Sequence, residues 1–451
     1  MSAWLRTNRL PLAAFAVALA VYAALAGGRL RRQSKDPHFV KQAYAWLHGH
    51  LDIQSDWKGD DPAKVEEVRL DDGTVARGRR IASRARFRLL GGGEIPLARV
   101  KETVRTIFHV SFPSFPAVLM IPQVLLHGER ANDVGTTVFL AALVPAFFLV
   151  LLRRLRAAGL SARAPAEDVW LAALLGFGTV FFFSAVQGRV WFTAHVVGVL
   201  LAVLYAWASI GAARPILAGV FLGLAFVTRT PMLFMFPLFV LEAWRAGRTG
   251  LWRRLVAFAV PIGAIGLAAA WHNWARFHEL TEFGHSYLAV QQQAQIERYG
   301  LFDLHYLGRN LSVALTLLPD LIRHKPYVTI SGHGLALWVT TPALLLLLWP
   351  REKNALHRAL WLTVALVAGW SLLYQNSGWI QFGYRFSLDY MVFLVMLLAV
   401  GGRPLSRWAR ALVVVGVLVN FFGAATFDRS HRYYRTDNRA ANGAYNCVVP
   451  N

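Results

Sequence analysis

The sequence predicts an all-α polytopic membrane protein with about eleven transmembrane helices. Hydrophobic residues make up 56% of the 451 positions, and charged residues make up only 16%. Apolar runs of about 15 to 22 residues recur along the chain, and about 20 residues span a hydrocarbon core of roughly 30 Å. This composition excludes a soluble enzyme.

The predicted spans divide the chain into six parts. The first transmembrane helix lies in 1–27, where two Arg residues precede the apolar run, and we expect it to stay uncleaved with its N-terminus inside. Spans 2–7 lie in 134–272 and spans 8–11 in 331–427. The individual spans are expected at roughly 10–27, 134–152, 168–186, 190–210, 214–228, 231–244, 255–272, 331–349, 359–374, 386–400 and 410–427.

The segment 108–127, FHVSFPSFPAVLMIPQVLLH, is apolar but contains three prolines. If it crossed the membrane, the Arg-rich loop 153–163 would lie outside. If it is a helix at the outer interface, that loop lies inside together with the basic loops 242–254, 351–358 and 401–410. The positive-inside rule counts such short loops, so it favours the interfacial helix.

Three segments are then expected on the outer side: the loop 28–133, the loop 273–330 and the tail 428–451. In the loop 28–133 we expect juxtamembrane helices and a small α/β insertion. Its stretch KVEEVRLDDGTVARGRR alternates around Asp72-Gly73, which is a hairpin signal, and RFRLLGGGEIPL could pair with that hairpin.

Charged side chains that could carry chemistry collect on this outer face. Asp36 lies just beyond the first span, and three outer turns bring Arg189, Arg229 and Arg385 to the membrane surface. This set suits the transfer of a sugar from a lipid phosphate. Arg stabilises the departing anion with planar, paired donors, and one carboxylate can act as the base for an acceptor hydroxyl. Direct displacement would invert the anomeric centre.

Several segments resemble the GT-C glycosyltransferases, membrane enzymes that use polyprenyl-phosphate sugars, in particular the protein mannosyltransferase and aminoarabinose transferase type. The similar segments follow in order: SKDPHFVKQAYAWLHGHLDI (34–53), HVSFPSFPAVLMIPQVLLHG (109–128), GLAFVTRTP (223–231), NWARFHELTEFGHSY (273–287) and QFGYRFSLDY (381–390). The resemblance covers most of the chain, although each motif is degenerate.

The resemblance implies roles for individual residues. It puts Asp36 at the catalytic acid-base position, Arg229 at the donor cavity and Arg385 near the lipid phosphate. The family often has an acidic residue after the first Asp, whereas Pro37 stands here, which puts a second carboxylate and a metal bound by the pair in doubt. The acids that could substitute are Asp52, Asp56 and Asp61.

Each assignment has a structural alternative. Asp36 and Pro37 also form a good helix start, with Asp as N-cap and Pro at the first helical position. Arg385 and Asp389 lie four residues apart and could simply pair. His195, in VWFTAH, fits a histidine hydrogen-bonded inside the bundle. The remaining cavity candidates are His38, His109, His333 and Tyr384.

The predicted partners are a polyprenyl-phosphate-linked sugar, the lipid bilayer and an unknown acceptor, which could be a lipid, a glycan or a protein. Nucleic acid is not expected, because the Arg and Lys residues behind the net charge of +22 mostly punctuate apolar runs. No cofactor is certain, no metal ligands are assigned, and a divalent cation is an open alternative. The single Cys447 excludes an internal disulfide. We expect a bacterial inner-membrane protein with a periplasmic active site.

Two other functions fit the same class of protein. A ligase or polymerase of lipid-linked glycans usually has its large outer loop late in the chain, whereas the longest loop here follows the first span. A transporter or flippase tends to carry charges at mid-membrane, whereas the predicted spans here are almost free of charge. The sequence therefore favours chemistry at the membrane surface.

The topology can be tested by labelling single cysteines in intact cells, after Cys447 has been replaced by Ser. Cysteines introduced in 28–133, 273–330 and 428–451 should react with a membrane-impermeant reagent. A cysteine in 153–163 should react only after the membrane is permeabilised. Labelling of 153–163 in intact cells would contradict the topology, including the interfacial position of 108–127.

Overall fold

The computed structural model describes residues 3–55, 57, 61–81, 84–288, 290 and 292–435. Asp56, Cys447 and the part of the tail from 436 onward lie outside the described residues. The helices are α1 (Ala3–Ala26), α2 (His38–Leu47), α3 (Phe115–His127), α4 (Asp133–Ala157), α5 (Pro165–Phe177), α6 (Phe181–Ala185), α7 (Val190–Ser209), α8 (Pro215–Phe226), α9 (Pro237–Arg245), α10 (Leu251–Phe277), α11 (Gln293–Tyr299), α12 (Leu307–Leu315), α13 (Leu337–Thr340), α14 (Ala355–Leu372), α15 (Leu388–Val400) and α16 (Arg407–Thr426). The strands are β1 (Pro62–Leu70), β2 (Val75–Ile81), β3 (Arg86–Leu89), β4 (Glu94–Pro96), β5 (Val100–Val110), β6 (Asp320–Leu321), β7 (Val328–Ser331) and β8 (Tyr434–Arg435).

Within the described residues, six helices are long and apolar enough to cross a membrane, so the predicted eleven spans are not confirmed. The six are Asn8–Arg31, Asp133–Ala157, Val190–Ala212, Leu251–Phe277, Ala355–Leu372 and Arg407–Thr426. The other five predicted positions hold short or interrupted helices. Prolines explain two of them, because Pro lacks the backbone donor that a continuous helix needs. Pro231 lies in the first turn of the 3₁₀ helix Thr230–Met235, Pro237 opens α9, and Pro342 opens a 3₁₀ stretch after α13.

The segment 108–127 does contain a helix, but the helix begins later than expected. The first three residues of the segment belong to β5, and α3 starts only at Phe115. The 13 residues of α3 reach about 20 Å, which is shorter than a hydrocarbon core of roughly 30 Å. The helix packs on α2 through a small apolar core that includes Phe39, Val40 and Met120. The two short helices therefore form one layer.

The predicted hairpin is confirmed. Strands β1 and β2 are antiparallel, and the Oδ1 atom of Asp72 accepts the Thr74 N–H at 2.9 Å in the turn between them. The segment RFRL forms β3 and pairs with β2, as the sequence predicts. The sheet is larger than a hairpin, with the order β4-β3-β2-β1-β5. We did not predict β5, which pairs with β1 along its length.

The helix bundle has two chemically different ends. At the first, which we call the cavity end, the Ser34 Oγ–H donates to Asp133 at 2.5 Å and Arg29 donates to the Phe427 carbonyl at 3.2 Å. These contacts join the end of α1 to the start of α4 and the end of α16. At the opposite, basic end, Arg154 donates to the Ile210 carbonyl at 2.6 Å and Arg403 donates to the Trp349 carbonyl at 2.9 Å.

Between the two ends lies an apolar core. Helix α1 packs on α4, α4 on α7, α7 on α8, and α8 on α10. The core is built from the inner faces of α4, α7 and α15, which are almost entirely buried along their length. Ionisable groups therefore concentrate at the ends of the helices.

Candidate active site

A cavity of about 500 Å³ opens at the cavity end. Its walls come from the start of α7, the segment after α8, the loop after α10 and the connection between α14 and α15. Residues 111–113, which follow β5, complete the lining. The lining includes Arg189, Arg229, Arg385 and His195, so four of the candidates predicted from sequence share one cavity.

Arg229 is held by a buried carboxylate. Its Nε and Nη2 atoms both donate to Asp389, the second at 2.8 Å, so the two side chains form a bidentate ion pair. The Nδ1 atom of His195 lies 3.5 Å from the same carboxylate. Asp389 is therefore the partner of Arg229. The Arg385–Asp389 pair that the four-residue spacing suggested does not form.

Arg385 is the most buried of the three guanidinium groups that line the cavity. Only 4% of its surface is exposed, and its Nη1 atom donates to the carbonyls of Gly378 at 2.5 Å and Ile380 at 2.9 Å. Its Nε atom has no hydrogen-bond partner, and no carboxylate of the described residues forms a salt bridge with it. Burial, followed by the charges of Arg229 and Arg189, lowers the pKa of Arg385 to about 9. An anion placed here would relieve this cost.

Arg189 is paired with Asp36. Its Nε atom donates to the Oδ2 atom of Asp36 at 2.5 Å, and its guanidinium carbon lies 4.8 Å from the centre of the Trp191 ring. Asp36 is 4% exposed and is not among the residues that line the cavity. Because Arg189 does line it, Asp36 stands directly behind the cavity wall.

The alternative of Asp36 as a helix cap is wrong. Helix α2 begins at His38, and its N-cap residue is Pro37, with no side-chain capping hydrogen bond. The carboxylate of Asp36 is directed to Arg189 instead, because an ion pair with a guanidinium is a stronger partner for a buried carboxylate than a helix N–H group.

A second carboxylate, Asp61, belongs to the lining itself. Its Oδ2 atom accepts the indole N–H of Trp191 at 2.9 Å, and its backbone carbonyl accepts the Ser111 hydroxyl at 3.0 Å. Asp61 was one of three acids that the sequence offered as substitutes for a second carboxylate, and the structure singles it out from Asp52. Asp52 instead pairs with Arg105 at 3.2 Å on the sheet.

The loop after α10 contributes polar residues that we did not assign from the sequence. Glu282 and His285 line the cavity. Both belong to the segment 273–287, which resembles the GT-C enzymes, but the sequence assigned no role to either residue. Tyr374, which follows α14, lies opposite, with its ring centre 6.5 Å from that of His285. Burial raises the pKa of Tyr374 to about 12, so its hydroxyl stays protonated.

The other candidates lie outside the lining. His38 is buried behind Trp191, with ring centres 6.1 Å apart. His109 belongs to strand β5, where its Nδ1 atom contacts the Leu51 carbonyl at 3.1 Å, and burial lowers its pKa to about 4. His333 contacts the Ser377 hydroxyl at 2.7 Å, and Tyr384 packs in an apolar cluster. These four residues support the walls and do not face the cavity.

The part of the chain that the structure describes contains no group of three or more His, Cys, Asp or Glu side chains that could hold a metal ion. Three carboxylates near the cavity have side-chain partners, since Asp36 contacts Arg189, Asp389 contacts Arg229, and Asp61 contacts Trp191. A fourth, Glu282, accepts two backbone N–H groups. The open alternative of a divalent cation therefore finds no ligand set in these residues.

Comparison with known proteins gives one likeness to report. No protein-family model matches the sequence, and no curated protein matches it. Among solved structures, the chain is similar to the apo crystal structure of an oligosaccharyltransferase from Archaeoglobus fulgidus, with 14% sequence identity and a TM-score of 0.47. The match covers 98% of this chain and 60% of that one. The chain thus spans less than two thirds of the length of that protein.

The cavity brings together guanidinium groups that can bind an anion and a carboxylate that can accept a proton. Arg189 and Arg229 are each anchored by a carboxylate, while the partners of Arg385 in the described part of the chain are two backbone carbonyls and the rings of Phe192 and Phe386. Carboxylates and aromatic rings line the same space.

Proposed function

We propose that the protein is a membrane glycosyltransferase. It moves a sugar from a polyprenyl-phosphate carrier to an acceptor hydroxyl at the outer face of the plasma membrane. The observation that carries the proposal is the buried guanidinium of Arg385, which faces the cavity at the ends of apolar helices without a carboxylate partner in the described residues. The segments that resemble GT-C enzymes include both Arg385 and Arg229.

The phosphate of the carrier binds to Arg385 and Arg229. A phosphodiester carries a single negative charge, which compensates the charge on Arg385. Arg229 is already oriented by Asp389 and offers its remaining N–H groups. Because these donors are fixed before the reaction, they stabilise the charge that develops on the departing phosphate. No strong acid is required, since a phosphate is a good leaving group.

An acidic side chain takes the proton of the acceptor. The acceptor oxygen forms a bond to the anomeric carbon as the bond from that carbon to the phosphate oxygen breaks. The electron pair of the broken bond stays with the phosphate, and the hydroxyl proton moves to the carboxylate. This displacement inverts the sugar. The sequence assigns the base to Asp36, and the cavity lining adds Asp61 as a second candidate.

The membrane side follows from the distribution of charge. The basic end carries the Arg-rich loops 153–163, 242–254, 351–358 and 401–410. Under the positive-inside rule this end faces the cytoplasm, so the cavity end faces outward. The lipid chain of the carrier then lies among the helices, while its phosphate and sugar reach the cavity.

Arg385→Ala should weaken donor binding. A hydrogen bond to a charged group contributes about 1.5–3 kcal/mol, which corresponds to a loss of about 10- to 150-fold. Arg385→Lys should restore part of the affinity, because the charge returns without the forked geometry. Binding of polyprenyl monophosphate in nanodiscs measures the effect, and Arg77→Ala, which breaks an ion pair with Glu67 on the sheet, is the matched control.

Arg229→Ala should also weaken binding, but it leaves Asp389 buried and unpaired, so Arg229→Lys is the cleaner variant. Unchanged affinity in folded Arg385→Ala and Arg229→Lys proteins would refute the phosphate site.

Replacing the base should slow turnover while donor binding survives. Asp36→Asn and Asp61→Asn should be compared in a sugar-transfer assay, and the variant that removes the base should lose on the order of a hundredfold or more. If Asp36 acts only by holding Arg189, then Arg189→Ala should have the same effect as Asp36→Asn and the double variant should add nothing. Normal turnover in both Asn variants would show that neither carboxylate is the base.

A further inference from the structure

Glu282 is a buried carboxylate that the proposed phosphate chemistry does not use. It is 8% exposed and lines the cavity. Its Oε1 atom accepts the backbone N–H groups of Gly284 at 2.5 Å and Ser286 at 3.3 Å. Across the described residues, no Lys, Arg or His nitrogen forms a salt bridge with it. A desolvated carboxylate without an ion-pair partner is costly, and such groups concentrate at binding sites.

The turn that presents Glu282 is tightly packed. Gly284 has a φ of +105°, and a Cβ atom there would lie 3.0 Å from the Cα atom of Ser111 and 3.1 Å from the Cβ atom of Ala63. Leu288 forms a β-bridge with Ala63, so the loop is attached to the start of β1. A glycine is required at this approach, and the carboxylate is consequently held in one position before any ligand binds.

Glu282 is close to the proposed phosphate site. Burial lowers the pKa of the neighbouring His285, Glu282 opposes this shift, and Arg229 adds to it. A pKa below its ordinary value keeps the His285 imidazole neutral near pH 7, and His285, Glu282 and Arg229 all line the same cavity. Aromatic rings surround the imidazole, since its centre lies 6.0 Å from that of Phe112 and 6.5 Å from that of Tyr374.

We propose that Glu282 and His285 form the subsite that reads the hydroxyl groups of the donor sugar. The inference rests on the proposed function and adds the part of the cavity that selects the sugar. The sugar is bonded directly to the phosphate, so its hydroxyls must lie beside Arg229 and Arg385. The free oxygen of Glu282 accepts hydrogen bonds from hydroxyls, neutral His285 adds one donor or acceptor, and the aromatic faces cover the apolar side of the ring.

This chemistry predicts selection by hydroxyl pattern. A site that hydrogen-bonds a substrate hydroxyl rejects an analogue without it, because the buried polar group of the protein is then left unpaired. Glu282 acts on binding of the sugar, whereas Arg385 acts on binding of the phosphate. The two contributions can therefore be separated by removing the sugar from the ligand.

The test compares wild type with Glu282→Gln in nanodiscs. The probes are polyprenyl-phosphate glucose, mannose and arabinose, together with polyprenyl methyl phosphate as the bare lipid, because it is a phosphodiester with the same single negative charge and no sugar. At least one sugar-bearing probe should bind wild type more tightly than the bare lipid, and Glu282→Gln should weaken that probe about tenfold or more. Affinity for the bare lipid should change less than about twofold. The matched control is Glu279→Gln, in the same loop but outside the lining, whose partner Arg88 lies 3.0 Å away.

The outcomes separate this inference from the proposed function. Equal affinity of wild type and Glu282→Gln for the preferred sugar-bearing probe overturns the subsite, as does equal weakening of the bare lipid. Failure of all three sugars to bind more tightly than the bare lipid also overturns it. If the bare lipid does not bind wild type, the proposed phosphate site itself fails.

Discussion

The gathering of three guanidinium groups at one end of the bundle, one buried and two partly buried, is the constraint on which the rest of the site depends. Arg189 and Arg229 are compensated by Asp36 and Asp389, and each pair fixes the geometry of its cation. Among the described residues, Arg385 has two backbone carbonyls and the rings of Phe192 and Phe386 as partners, and no carboxylate forms a salt bridge with it. A buried cation in this environment has an unfavourable desolvation free energy in the ligand-free protein, and a bound anion would provide the missing counter-charge. The proposed chemistry follows from that incomplete compensation.

The connection between α14 and α15 makes this placement of Arg385 stable. The side chain of Gln381 donates to the carbonyls of His333 and Ser377, both at 2.8 Å, and its Oε1 atom accepts the Arg385 backbone N–H at 2.9 Å. Gly334 lies against the same side chain, where a Cβ atom would come within 2.9 Å of its Cγ atom. The loop is therefore closely packed, and it turns carbonyl groups toward the guanidinium before a ligand arrives.

The sequence predicted much of this site because topology alone sorts side chains by membrane face. Arg189, Arg229, Arg385 and His195 lie at or near span ends that the positive-inside rule puts on one side, and all four line one cavity. Helix positions were recoverable for the same reason. The continuity of the helices could not be predicted, because a hydropathy pattern does not show where a proline such as Pro231 or Pro342 interrupts the backbone hydrogen bonds of a helix.

The residues that were missed belong to loops, where no periodicity relates sequence to space. Glu282 reaches the cavity because the loop after α10 is bridged to β1, a pairing between residues more than two hundred positions apart. The sequence predicted Asp36 just beyond the first span, but its partner could not be known without the turn that brings Arg189 to it. In the sequence, the local sign that Glu282 belongs to a site was an acidic residue in a loop with Gly284 two positions later.

The most direct test of the central claim is an experimental structure of the protein in a lipid nanodisc with a bound polyprenyl-phosphate sugar. The account predicts phosphate oxygens about 2.7–2.9 Å from guanidinium nitrogens of Arg385 and Arg229, with the sugar beside Glu282. A phosphate bound at the basic end, or one in the cavity that contacts neither guanidinium, would contradict it.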